Sequence, residues 1–178
     1  MVAEVVALSV YIISPGRSGS GWLTTLLAGC GLSALHEWHG TVDNPDVVAD
    51  TSFLWLQDDF LKTLAPNDVC VVLDRDETER TASVKKLLGE RDWAYLEKAW
   101  IDFKEKLKKV PNTTVWIDYK DLFSRETKEK LFQMIYYHTG ASTGNFSNMW
   151  DLLRHMRVTN ATAEREVVQS YMGDMGND

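Results

Sequence analysis

The stretch Ser14-Pro15-Gly16-Arg17-Ser18-Gly19-Ser20-Gly21-Trp22-Leu23 decides how this chain is read. Before it runs Val5 to Ile13, apolar and rich in β-branched residues. After it, Trp22, Leu23, Leu26 and Leu27 recur at helical spacing until Gly29-Cys30-Gly31 stops them. The pattern is strand, small-residue turn, helix. Such a turn aims several backbone N–H groups at one point beside a helix N-terminus, a place that favours an anion. Arg17 adds a full positive charge there. A mere connection has no need of Ser18-Gly19-Ser20-Gly21 after an arginine. The turn is not a Walker A loop, which requires a lysine followed by Ser or Thr, and no lysine lies near it.

Working outward, Val69 to Leu73 is a short continuous apolar run, the pattern of a strand buried on both faces. It leads into Asp74-Arg75-Asp76-Glu77 and then a helical stretch that holds Ser83, eight residues after Arg75. Arg75 offers a planar fork suited to a phosphate, and Ser83 adds a hydroxyl from one turn into the helix. The competing reading makes Arg75 a surface partner of Asp74 or Asp76 and Ser83 an ordinary helix residue. A third segment, Thr114-Val115-Trp116-Ile117-Asp118-Tyr119-Lys120-Asp121-Leu122-Phe123, reads as a later strand and its turn.

These three segments resemble the sulfotransferase family. The first is similar to that family's 5′-phosphosulfate loop, with Arg17 in the basic position, Ser18, Gly19 and Ser20 in the next three, and Trp22-Leu23 closing the motif. It departs in the inserted Gly16 and in Gly21, which stands where the second Thr is usual. Arg75 and Ser83 have the spacing of the pair that grips the donor's 3′-phosphate. The third segment resembles a strand ending in a Tyr-Glu-Asp-Leu type turn, with Lys120 where an acid is more usual. The likeness runs from about Val5 to Gly140.

The resemblance implies a three-layer α/β/α fold with a central parallel sheet, P-loop NTPase-like. It implies transfer of a sulfuryl group from 3′-phosphoadenosine 5′-phosphosulfate to a hydroxyl or amine of a small-molecule or carbohydrate acceptor, without metal. Donor-binding residues would be Arg17, Ser18, Gly19, Ser20, Gly21, Trp22, Arg75 and Ser83. In cytosolic members the Trp stacks on adenine; as a helix residue Trp22 has a second reading, packing into the core. Arg17 and the loop amides would also neutralise the leaving phosphate. Cytosolic members take their base, a His, after a middle strand, but Asp50-Thr51-Ser52 holds none. Carbohydrate-acting and some bacterial members place a Glu shortly after the first helix. Glu37, twenty residues after Arg17, has that position and is the expected base, with His39 and His36 as alternatives. The Arg-Lys-Gly loop and the dimer motif of cytosolic members have no match; Arg154 or Arg157 are candidates to substitute in the phosphate site, and nothing in the sequence fixes either.

At 178 residues, 44% apolar and 25% charged, the chain suits one soluble α/β domain over residues 1–158, with a polar, mobile tail over 159–178. A net charge of −7 argues against nucleic acid as a partner. Cys30 and Cys70 lie in apolar runs, as expected of small buried hydrophobes in a reducing, cytoplasmic setting. No apolar run reaches membrane-spanning length, and the apolar start reads as the first strand because no basic segment precedes it. Helices are expected over Phe53–Leu64, Thr78–Leu88, Trp93–Val110 with its lysines solvated, Arg125–Thr139 with Leu131, Phe132, Ile135 and Tyr136 inward, and Trp150–Arg157; Leu32–His36 suits a short strand. An atypical P-loop kinase or NTPase and a non-catalytic nucleotide-binding module are the alternative functions.

Overall fold

The computed structural model describes residues 9–15, 18–35, 47–50, 54–57, 59–88, 94–139 and 145–155. Five parallel strands form one sheet in the order β2-β3-β1-β4-β5. They are β1 (Val10–Ile13), β2 (Ser33–Leu35), β3 (Val47–Asp50), β4 (Val69–Asp74) and β5 (Thr113–Asp118). The helices are α1 (Ser20–Gly29), α2 (Phe60–Thr63), α3 (Glu77–Leu88), α4 (Ala94–Leu107), α5 (Arg125–Met134) and α6 (Phe146–His155). The protein is therefore α/β. Among the described residues no helix is long and apolar enough to cross a membrane.

The unbroken apolar runs of β1 and β4 follow from burial on both faces of the sheet. Successive side chains alternate between faces. Val10, Ile12, Val69, Val71 and Leu73 face a core built with Leu23, Leu26 and Leu27 of α1, Leu131 of α5 and Trp150 of α6. Tyr11, Ile13, Cys70 and Val72 face the opposite core, with Trp55, Phe60, Trp100, Phe103 and Leu107. Helices thus cover both sides. The edge strand β5 lacks such a run, and its Trp116 is exposed.

The end of α1 shows local sequence acting directly. Gly31 has φ +86°, and its N–H donates to the Ala28 carbonyl while Leu32 N–H donates to the Leu27 carbonyl. That pair of bonds is the Schellman C-cap, which needs a left-handed residue that glycine adopts without a Cβ penalty.

Elsewhere the expected periods were misleading. The single helix expected over Phe53–Leu64 is a 3₁₀ turn, Leu54–Leu56, and the one-turn α2. Its two buried anchors, Trp55 and Phe60, are five residues apart, a spacing that no helix face provides. The stretch Arg125–Thr139 is α-helical to Met134 and continues as a π turn over Ile135–Thr139. Thr127, Leu131, Met134 and Ile135 face inward, whereas Phe132 and Tyr136, expected inside, are exposed. They lie about 100° round the helix from their buried neighbours. The last helix begins at Phe146, not Trp150, because Phe146, Met149, Trp150 and Leu153 form its buried face. Residues 159–178 lie outside the described residues.

The strand order positions the site. From β1 the chain leaves through α1 towards β2, on one side of the sheet. From β4 it leaves through α3 and α4 towards β5, on the other side. The two neighbouring strands therefore send their connections apart, and open α/β sheets bind ligands in the crevice at such a switch point, outside the strand C-terminal ends.

Candidate functional site

The loop after β1 forms one wall of that crevice. The Ser14 carbonyl accepts a hydrogen bond from Trp55 Nε1 at 2.8 Å. Ser14 and Ser18 are fully buried, and Ser20 nearly so. Gly19 caps α1 in the left-handed region, φ 91° and ψ 11°. The Leu23 N–H donates to the Gly19 carbonyl at 3.0 Å, so the amides of Ser20, Gly21 and Trp22 precede the first intrahelical bond. No acidic residue lies in this first turn. The hydroxyls of Thr24 and Thr25 bond back to the carbonyls of Ser20 and Gly21 at 2.9 and 2.8 Å.

Gly19 is held from the side by the turn after β5. A Cβ there would lie 2.6 Å from Leu122 Cδ2 and 3.5 Å from two ring carbons of Tyr119. Leu122 is fully buried and has little freedom to give way. Gly19→Ala should therefore cost about 2–4 kcal/mol, from left-handed backbone strain plus overpacking. Denaturant unfolding measures this, and an unchanged midpoint would show that the position tolerates a side chain.

Arg75 directly follows the end of β4 and lies over the Tyr119 ring. Its guanidinium carbon lies 4.4 Å from the Tyr119 ring centroid, within cation–π range. Its Nε donates to Glu79 Oε2 at 3.2 Å. Neither Asp74 nor Asp76 is the partner expected for that donor. Asp76 instead accepts from the Thr78 and Glu79 N–H groups at 2.9 and 3.2 Å, capping α3. Asp74 accepts from Arg75 N–H and Trp100 Nε1, each at 3.0 Å, and from Lys104 Nζ at 2.5 Å. Burial alone would raise the Asp74 pKa. The hydrogen bonds from Lys104 and Trp100, with the Lys104 charge, outweigh it and hold the carboxyl below its ordinary value.

Two charged residues of this network went unseen as such in the sequence. Lys104, counted among solvated lysines, is a cation on Asp74, where Arg80 Nη1 also lies 3.6 Å away. Arg80 is 3% exposed. It pairs with Glu97 through Nε at 3.0 Å and through Nη2, and its Nη1 donates to the Arg75 carbonyl at 2.8 Å. Its clue in the sequence is only its position, one helical turn beyond Asp76. A buried arginine so occupied fixes the backbone from which Arg75 projects.

The other expected site residues fare differently. Ser83 is half-buried, six residues beyond the start of α3 and so about 9 Å along it, deeper than one turn. Trp22 is 2% exposed, which corrects the adenine-stacking reading. Its ring meets Phe123 and Trp150 edge-on, both at 5.0 Å, and its Nε1 donates to the Leu153 carbonyl at 3.2 Å. No face of it is open to a purine. Arg154 lines a groove between α5 and α6. Arg17, His36, Glu37, His39 and Arg157 lie outside the described residues. Burial pushes the thiols of Cys30 and Cys70 up to about 12, so both are neutral apolar fillers near neutral pH.

The sheet thus brings the loop at Ser18–Gly21, the arginine at position 75 and the tyrosine at position 119 to one crevice. Amides at a helix start beside a half-buried guanidinium suit an anionic ligand with separated charges. No protein-family model matches the chain, and no curated protein sequence is significantly similar to it.

Proposed function

We propose that the chain is a sulfotransferase that binds 3′-phosphoadenosine 5′-phosphosulfate at this crevice and passes its sulfuryl group to an acceptor hydroxyl or amine. One observation carries the reading: Gly19 of the loop and Arg75 both lie close to the Tyr119 ring, at the switch point between β1 and β4. Two anion-favouring groups on one crevice fit a ligand with a phosphate at each end. On this reading the amides of Ser18 to Gly21 and the Arg17 charge hold the 5′-phosphosulfate, and Arg75 with Ser83 holds the 3′-phosphate. The fold is then of the P-loop-like sulfotransferase kind.

The donor supplies the sulfuryl group, and the chain supplies electrostatics and a base. Arg17 and the loop amides neutralise the phosphate as it departs. Glu37 takes the proton from the acceptor hydroxyl or amine. No lysine or metal enters the scheme. Buried, unreactive thiols accord with a reducing compartment such as the cytoplasm.

Calorimetry on the full chain tests the reading. 3′-Phosphoadenosine 5′-phosphate should bind more tightly than adenosine 5′-phosphate, and without magnesium. Arg75→Ala should remove most of that preference, a loss of about 1.5–3 kcal/mol or roughly 10–150-fold. Equal affinity for the two nucleotides would overturn the assignment of Arg75 and Ser83. Preference for ATP with magnesium would move the chain to the kinase and NTPase class.

A further inference from the structure

The strand β5 closes one edge of the sheet. Its six residues, Thr113 to Asp118, pair in unbroken register with β4, and among the described residues no strand adds to its outer side. Such an edge presents a row of backbone donors and acceptors that another strand can satisfy. The features that usually keep edges apart are missing: no proline, lysine or bulge interrupts Thr113-Thr114-Val115-Trp116-Ile117-Asp118. Five of these six residues are β-branched or aromatic, the composition of a strand that pairs readily. Trp116 is 39% exposed. It stands in register with Val72 and so on the α4 side of the sheet, while Val115 and Ile117 lie on the other side.

We propose that β5 pairs antiparallel with β5 of a second copy of the chain, joining two sheets into one across a two-fold axis. Charge selects this occupant and this direction. Lys108 and Lys109 stand exposed just before the strand. Asp118 and Asp121 stand exposed at its far end, with Lys120 between them bonded to Asp118. Antiparallel pairing sets the positive start of one strand beside the negative end of the other, whereas a parallel copy would set like beside like. The faces then fix the register. A two-fold axis perpendicular to the sheet keeps each face continuous, so opposed residues must share a face. With the axis at Trp116, that exposed indole meets the partner's Trp116 on the α4 side, and Val115 meets the partner's Ile117 on the other. Aromatic pairs opposed in this way stabilise antiparallel ladders.

Sedimentation velocity on the full chain tests this, and should show a monomer–dimer equilibrium in the wild type. Trp116→Lys and Trp116→Glu each set like charges against each other at the axis, and each should weaken the dimer by about 30-fold or more. Mixed in equal amounts, the two variants set a lysine against a glutamate and should recover a dimer. A wild type that stays monomeric at every concentration overturns the proposal. A dimer that both variants retain also overturns it, giving the interface to another surface, and so does a mixture that stays monomeric. Where a variant melts well below wild type, hydrogen exchange on the wild type alone decides. The outward amides of residues 113–118 should exchange about tenfold slower in concentrated than in dilute solution, while those of β1 stay unchanged. Exchange over 113–118 that ignores concentration overturns the proposal.

Discussion

Trp22→Ala should lower stability by about 3–5 kcal/mol, the cost of truncating a fully packed tryptophan. For a chain of this size that is a fall of roughly 6–20 °C in melting temperature. The ring fills the junction of α1 with Phe123 and Trp150, so its loss leaves a cavity between two edge-on aromatic contacts. A second cost arises at α6. Leu153 lies in the last turn of that helix, where carbonyls have no intrahelical donor, and the Trp22 indole supplies one. Nucleotide affinity of the folded fraction, measured well below the melting transition, should stay near wild type. If instead the variant melts like wild type and loses its preference for adenine over other bases, the ring serves the ligand and the core assignment is wrong.

The second large effect is on rate. Glu37→Gln should slow sulfuryl transfer by about 10²–10⁴-fold, the usual worth of a general base, or roughly 3–5 kcal/mol in barrier. Donor affinity should barely change, since Gln keeps the size of the side chain and loses its charge. The rising limb of the pH–rate profile, where a carboxyl loses its proton, should vanish as well. His36→Ala and His39→Ala should act more mildly. The measurement needs an acceptor, found by screening sugars, phenols and small alcohols with labelled donor. Near-wild-type turnover in Glu37→Gln beside a dead His39→Ala would transfer the role to the histidine. Tight nucleotide binding with no transfer to any acceptor would favour a binding module without catalysis.

Glu37 and Trp22 show opposite limits of reading a chain by pattern. Glu37 is placed only by its distance from Arg17 and by a family likeness. Trp22 sits in a motif whose likeness points to a ligand, yet the same helical position serves a core equally well. Its neighbours Phe123 and Trp150 come from distant elements that no local spacing reveals. Arg80 likewise gives no local signal of its role, and Lys104 reads as a solvated charge. Their partners Glu97 and Asp74 lie 17 and 30 residues away.

By itself the sequence determined what short-range rules control. The apolar runs at Val10–Ile13 and Val69–Leu73 specify doubly covered strands, because a strand wet on one face would alternate. Gly31 specifies the stop of α1, because only a residue without Cβ enters the left-handed region freely. The small residues at 18–21 mark the turn that leads into α1, with Gly19 in the left-handed region. Tertiary structure alone decided the strand order, and with it the meeting of Gly19, Arg75 and Tyr119. It alone decided that Trp22 is spent on the core and that Phe132 and Tyr136 are left outside. The physical reason is range: backbone preference and periodicity act over a few residues, whereas burial is settled by which distant surfaces pack together.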